Sequence, residues 1–106
     1  MSVATDTPRH LAGPIAKTCA LFRLLAAYEV TGLAPGEVAK GLDVGAPWVS
    51  VNLPALAEIG FVERVGDTGR WRLGVAFVRI AHTVLTANSD AKKLLEERLT
   101  RISTPL

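Results

Sequence analysis

The sequence predicts a mostly α-helical protein with one small β-hairpin, and two observations support this prediction. The segments at residues 15–30 and 46–59 repeat apolar residues every three or four positions, which is the spacing of amphipathic helices. Residues 61–65 and 70–73 instead alternate apolar and polar residues around the turn "GDTG", a pattern typical of a β-hairpin. A chain of 106 residues, 49% of them hydrophobic, is large enough for one modest core.

The first helix is predicted over residues 15–30, opened by Pro14 and ended by Gly32. Its predicted apolar face consists of Ile15, Cys19, Phe22, Leu25 and Ala26. Cys19 is the single cysteine of the chain, so no intramolecular disulfide is possible and we expect a buried free thiol. Residues 1–13 are small, polar and contain proline, and are expected to form a flexible tail.

A short second helix is predicted over residues 35–42, because a proline suits its first position and an acidic residue complements the dipole of its first turn. The tight turn "DVGA" follows it, and a third helix is predicted over residues 46–59. At 100° per residue, Val49, Leu53 and Leu56 form the inward face of that third helix.

The hairpin and the C-terminal region complete the predicted elements. In the hairpin, Trp71 and Leu73 are predicted to lie on one face, with two arginines on the other. A fourth helix is predicted over residues 74–87. The cluster "NSD" is interpreted as the N-cap of a fifth helix over residues 88–102.

Three helices followed by a hairpin is the order of elements in a winged helix-turn-helix. The predicted organisation is a tail at residues 1–13, a winged helix-turn-helix DNA-binding domain at 14–74, and C-terminal helices at 75–106. The C-terminal helices carry more apolar surface than one domain face covers, so we expect a homodimer. The expected dimerisation residues are Phe77, Ile80, Val84, Leu95 and Leu99. The alternative is that these helices fold back on their own domain.

The stretch "VSVNLPALAEIGFVERVGDTGRWRLG" resembles the N-terminal DNA-binding domain of the IclR family of bacterial transcription regulators. In that family a valine-centred recognition helix leads to "GFVER", a short turn and "TGRYRLG". The matching positions are Val49, Leu53, Leu56, residues 60–64 and residues 68–74. The resemblance covers roughly residues 15–87, and implies a regulator of bacterial or phage origin that binds double-stranded DNA.

Regulators of this family carry a ligand-binding domain of about 150 residues or more after the linker helix. This sequence stops shortly after the region where that helix begins. Met1 and the tail favour a stand-alone relative over a shortened form of a longer regulator. We therefore expect no small-molecule effector.

The third helix is unusual for a DNA-reading helix, because no lysine or arginine lies between Lys40 and Arg64. The residues assigned to base contacts are Trp48, Ser50, Val51, Asn52 and Ala55. Serine and asparagine exchange hydrogen bonds with base edges, and the apolar side chains pack on thymine methyl groups. The alternative interpretation is that the tryptophan covers the core and that the serine and asparagine are solvated.

The positive charge that the third helix lacks is found on the hairpin. Arg64, Arg70 and Arg72 are predicted to hold the DNA backbone, with Lys40 as a further contact. The formal net charge of the chain is only +2, so the distribution of charge matters more than its total. Few phosphate contacts per subunit predict weak binding by a monomer, and hence a two-fold site for a dimer.

Other function classes have no support in the sequence. Two distant histidines and a single cysteine provide no metal or catalytic constellation, and "GDTGRWRLG" lacks the strand-glycine-helix context of a nucleotide site. We expect no enzyme activity and no cofactor. No signal peptide and no apolar run long enough to span a membrane is present, so a cytoplasmic protein is expected.

Two functional hypotheses follow. The first is a sequence-specific regulator that binds double-stranded DNA as a homodimer. The second hypothesis assumes the same fold but a protein partner instead of DNA. The exposed arc of the third helix is more apolar than is usual for a surface that contacts DNA. In that case the chain is an adaptor or an anti-repressor that docks another regulator through this arc.

Overall fold

The computed structural model describes residues 13–103, which contain four helices and one two-stranded antiparallel sheet. The elements in chain order are α1 (Pro14–Ala27), α2 (Pro35–Leu42), α3 (Ala46–Glu58), β1 (Val62–Arg64), β2 (Trp71–Leu73) and α4 (Val75–Ser103). The predicted class, mostly helical with one small hairpin, is therefore confirmed. The predicted tail lies outside the described residues, apart from Gly13.

The helix bounds follow local sequence signals closely. Helix α2 has the predicted bounds, and α3 ends one residue earlier than predicted. Helix α1 ends three residues early, because Tyr28 leaves helical geometry with φ −125° and the chain then turns through Gly32 with φ 70°. At the start of α2 the Glu37 carboxylate accepts a hydrogen bond from the Ala34 N–H at 2.9 Å, which satisfies a donor that the helix leaves free.

One hydrophobic core joins the first three helices to the hairpin. Its buried members are Leu21, Leu25, Leu33, Val38, Val49, Leu53, Val62, Trp71 and Leu73. The expectation that Cys19 is buried is wrong, because this side chain is exposed. The buried face of α1 is set by Leu21 and Leu25, and a residue two positions before Leu21 lies on the opposite side of a helix.

The hairpin pairs Val62 with Leu73 and Arg64 with Trp71 in antiparallel register. Trp71 and Leu73 are both buried, as predicted. Trp71 also exchanges two backbone hydrogen bonds with Leu33, at 2.8 and 2.9 Å. The loop between α1 and α2 thereby extends the sheet by one residue pair and fixes the hairpin against the helices.

The prediction of separate fourth and fifth helices is wrong, because α4 is one helix of 29 residues. The "NSD" cluster does not cap a new helix. Asn88 Nδ2 instead donates to the Val84 carbonyl oxygen at 2.9 Å, within the same helix. The helix contains no glycine or proline, so nothing in its sequence interrupts the backbone ladder.

The first turn of α4 is attached to the domain by an aromatic cluster. The ring of Phe77 lies 4.9 Å from that of Phe22 and 5.9 Å from that of Phe61, between ring centroids. Phe77 is half-buried and packs against the core. From Val78 to Arg101 every side chain of α4 is exposed, so the helix leaves the domain after its first turn.

Candidate nucleic-acid interface

The corner between α2 and α3 sets the direction of α3. Asp43 adopts a left-handed backbone conformation with φ 53°, which aspartate tolerates better than most residues. The Val44 N–H then donates to the Ala39 carbonyl oxygen at 3.0 Å and closes the end of α2. Val49 and Leu53 enter the core from α3, so the opposite face of that helix points outward.

The outward face of α3 is mostly apolar. Its exposed members are Pro47, Ser50, Val51, Pro54, Ala55 and Glu58. Val51 is 68% exposed. Of the residues assigned to base contacts, Ser50, Val51 and Ala55 lie on this face, where a partner can reach them.

Trp48 and Asn52 lie on the flank of α3 and are half-buried. The predicted outward position of Trp48 is wrong, because its side chain packs against the core. It precedes the buried Val49 by one position, so its large ring reaches the edge of the core. This matches the alternative interpretation, in which the tryptophan covers the core.

The two polar side chains of α3 bond to their own helix. Ser50 Oγ donates to the Pro47 carbonyl oxygen at 3.2 Å, and Asn52 Nδ2 donates to the Trp48 carbonyl oxygen at 2.8 Å. Each side chain keeps an oxygen that can accept a further hydrogen bond. Contact with a base edge therefore uses these oxygens or requires the side chains to change rotamer.

Arg64, at the end of β1, is the hairpin arginine that makes no ion pair within residues 13–103. Its guanidinium carbon lies 4.4 Å from the centroid of the Trp71 ring, a cation–π arrangement. Arg64 is exposed, whereas Trp71 is buried. The indole thus orients this cation while its donors remain free for a partner.

Arg70 is partly buried and bonds to groups of its own domain. Its Nε donates to the Thr31 carbonyl oxygen at 3.1 Å, and its Nη2 donates to the Gly32 carbonyl oxygen at 2.9 Å. The same Nη2 lies 3.1 Å from Oε1 of Glu37. Arg70 thus braces the hairpin against the α1–α2 loop, and its assignment to the DNA backbone stays a prediction.

Arg72 and Lys40 differ in how available their charges are. Arg72 lies opposite Glu63 in the hairpin register, and its Nη2 is 3.4 Å from the Glu63 Oε2. This cross-strand pair neutralises Arg72 within the hairpin. Lys40, in the last turn of α2, is exposed and makes no ion pair among the described residues.

The charge of the compact part is balanced. Residues 14–74 contain six Lys and Arg and six Asp and Glu, so their formal net charge is zero. The excess of the whole chain comes from α4, which holds five basic and three acidic residues. Long-range electrostatic attraction to DNA is accordingly weak, and local placement of Arg64 and Lys40 decides how the domain meets a phosphate.

A groove with a volume of about 510 Å³ separates α2, α3 and the hairpin. Its lining residues are Pro35, Gly36, Ala39, Ala46, Pro47, Val49, Ser50, Pro54, Arg64 and Trp71. The walls are mainly apolar, and Arg64 is the cation at the rim. The groove thus brings the exposed side of α3 and the available charge of the hairpin to one surface.

The predicted dimerisation residues divide into two groups. Phe77 is half-buried against its own domain, and its assignment to a dimer surface stays a prediction. Ile80, Val84, Leu95 and Leu99 are between 52% and 58% exposed on α4. The alternative that this region folds back on its own domain is also contradicted beyond the first turn, because the helix projects away from the core.

Two features of the site could not be read from the sequence. Glu37 is the acidic residue expected in the first turn of α2, yet it also pairs with Arg70, 33 positions further along the chain. No sequence pattern indicates that Pro35 and Gly36 line a groove. Neither feature has a local signal, since each depends on how the hairpin packs against α2.

Within residues 13–103 no group of three or more His, Cys, Asp or Glu side chains could hold a metal ion. Nor does this part of the chain contain a helix long and apolar enough to cross a membrane. A scan against protein-family models gave no match, and a search of curated proteins found no significant relative.

Proposed function

We propose that the protein is a sequence-specific transcriptional regulator that binds double-stranded DNA as a homodimer, through a winged helix-turn-helix of the IclR type. Helices α2 and α3 form the helix-turn-helix, and the hairpin is the wing. The observation that carries the proposal is the shared surface of α3 and Arg64, where an exposed helix face lies beside an orientated cation without an acidic partner. This is how a recognition helix and a wing meet DNA together.

The roles of the residues follow from their positions. Ser50, Val51 and Ala55 face a DNA major groove, with the apolar pair on thymine methyl groups and the serine on a base edge or phosphate. Arg64 and Lys40 hold phosphates. Asn52 contributes its free amide oxygen from the flank. Trp48, Arg70 and Arg72 support the fold.

Selection from random duplex DNA at near-physiological salt tests the proposal. Enrichment of a two-fold symmetric site is the expected outcome, because two subunits read two half-sites. Arg64→Ala should then lower the affinity about tenfold and make the dependence on salt shallower by about one phosphate contact per subunit. Arg72→Ala is the matched control, since that arginine is already paired with Glu63.

The test has a clear negative outcome. A selection that enriches no motif, made with protein whose helicity shows that it is folded, excludes specific reading of DNA. An equal effect of Arg64→Ala and Arg72→Ala would remove Arg64 from its proposed role. A double variant of Arg70 and Arg72 is less informative, because loss of Arg70 also removes three contacts that hold the hairpin.

A second candidate function is favoured by the apolar walls of the groove. Three prolines and Trp71 line a surface with few hydrogen-bonding groups, which suits a peptide segment better than a phosphate backbone. In this case the chain docks on another regulator as an adaptor or anti-repressor. Pro54→Glu, which places a charge in the wall of the groove, would then abolish binding to the partner, while Lys40→Ala, outside the groove, spares it.

A further inference from the structure

Helix α4 carries an apolar stripe with a period of eleven residues. Phe77, Asn88 and Leu99 are spaced at this interval, as are Ile80 with Ala91 and Val84 with Leu95. Eleven residues over three turns correspond to about 3.67 residues per turn, which is close to the 3.6 of a straight α-helix. The stripe therefore stays on one side of α4 along most of its length instead of winding around it.

Three apolar residues of this stripe are about half exposed in the part of the chain that the structure describes. Ile80, Val84 and Leu95 are 52%, 54% and 58% exposed. The helix has 29 residues, so it is about 43 Å long, and its side chains from Val78 to Arg101 are exposed within the described residues. A helix that buries none of its apolar side gains little stability from packing, so this side requires a partner surface of similar length.

We propose that the stripe of α4 pairs in parallel and in register with the same stripe of a second copy, and that Asn88 fixes this register. Asn88 lies in the middle of the stripe, where a polar residue specifies alignment at some cost in stability. One hydrogen of Asn88 Nδ2 is bound to the Val84 carbonyl oxygen. The second hydrogen and Oδ1 are available, so two Asn88 amides at the same level can bond to each other.

The charges beside the stripe favour a second copy in parallel orientation. At about 98° per residue, Glu96 and Arg98 fall on opposite edges of the stripe. Two-fold symmetry parallel to the helices brings the Glu96 edge of one copy against the Arg98 edge of the other, at nearly the same height, on both sides of the seam. Glu96 already lies 3.8 Å from Lys92 within its own helix, so its carboxylate would bridge two cations.

An antiparallel pair would have neither the hydrogen bond between the two Asn88 amides nor the ion pairs between Glu96 and Arg98. If Val84 faces Leu95 of the other copy, Asn88 faces Ala91, which offers no hydrogen-bonding side chain. Antiparallel symmetry also brings equivalent edges together, so that Glu96 no longer meets Arg98. The parallel arrangement places both compact domains at the same end, and in this respect it deepens the proposed homodimeric DNA reader.

Disulfide trapping tests orientation and register without DNA. In a Cys19→Ser background, which removes the exposed native thiol, Ala91→Cys should form a homodimeric disulfide in a glutathione buffer. Thr86→Cys is the matched control, since it lies on the opposite side of the same helix. Antiparallel pairing would instead cross-link a mixture of Asn88→Cys and Ala91→Cys more efficiently than either variant alone, and would overturn the proposal.

Sedimentation of the unmodified chain completes the test. We expect the mass of two chains at micromolar concentration, and a monomer there would contradict the pairing. Asn88→Leu should strengthen association but give more than one oligomeric species, because the register is no longer specified. If that variant forms a single dimer and its Ala91→Cys form cross-links as efficiently as before, Asn88 does not fix the register. These readouts remain interpretable even if the protein binds no DNA.

Discussion

Arg70, an arginine of the type that often contacts DNA phosphates, stabilises the fold of the domain. Its guanidinium bonds to two carbonyl oxygens of the α1–α2 loop and to the carboxylate of Glu37. Glu37 in turn accepts the Ala34 N–H at the start of α2. One side chain thus links the hairpin to the beginning of the helix-turn-helix, and the wing is held in a fixed position relative to α3.

Arg70→Ala should lower the free energy of unfolding by about 1–3 kcal/mol, mainly because the carbonyl oxygen of the buried Gly32 loses its charged donor. The exposed pair with Glu37 contributes little to this change. Urea unfolding monitored by circular dichroism measures this change. Arg72→Ala should cost under about 1 kcal/mol, since it removes a half-exposed cross-strand pair. Equal stability of Arg70→Ala and the parent protein would show that the brace contributes nothing to the fold.

At the scale of the element, α3 combines a well-anchored inner face with an irregular outer one. Val49 and Leu53 are buried, whereas the outer face holds two prolines. Pro47 occupies the first turn, where it suits the helix, but Pro54 lies inside the helix and cannot donate to the Ser50 carbonyl oxygen. The helix keeps its bounds because tertiary packing of the inner face outweighs this loss.

Replacement of Pro54 by alanine should raise the free energy of unfolding by about 1–3 kcal/mol, since alanine restores a backbone hydrogen bond and relieves the clash with the preceding turn. Pro54 is exposed, so little packing is lost. Chemical denaturation gives the measurement, with Pro47→Ala as the control at a tolerated position. A decrease in stability would mean that the ring of Pro54 contributes more through the groove than it costs in the helix.

The whole molecule is far from spherical. Its principal extents are 69 × 37 × 23 Å and its radius of gyration is 19.1 Å, whereas a compact chain of this size has about 13 Å. The difference comes from α4, which projects from a compact domain of three helices and a hairpin. Apolar side chains of α4 therefore remain exposed on the described chain, and the proposed pairing of two α4 helices would cover them.

If association supports α4, its stability must depend on protein concentration. Leu95→Glu, which places a charge in the centre of the stripe, should reduce helicity and abolish the increase of melting temperature with concentration. Thr86→Glu on the opposite face provides the comparison and should change neither quantity appreciably. A melting temperature of the parent that is independent of concentration would show that α4 is stable alone.

Local sequence determined much of this architecture. The bounds of α2, the start of α3, the hairpin and the burial of Trp71 follow from helix-start residues, from a tight turn and from alternation, all of which act over a few positions. The exposed apolar surface of α4 was also evident from the pattern. Each of these features is decided by neighbours along the chain.

Wrong predictions arose where two competing interactions were both permitted by the sequence. Asn88 can cap a new helix or bond back within an existing one, and without a glycine or proline nearby the longer helix prevails. Cys19 satisfies the spacing of an apolar face, but the core selected Leu21 and Leu25, which bury more surface.

The sequence by itself determined the class of fold, the hairpin, the lack of positive charge on α3 and the apolar stripe of α4. Tertiary structure alone decided which cations remain available: Glu37 and Glu63 neutralise Arg70 and Arg72, while Trp71 holds Arg64 free at the rim of the groove. The physical reason is that the sequence gives the charge of each side chain but does not show which groups will lie beside it. Its availability depends on which groups folding brings within a few ångströms of it.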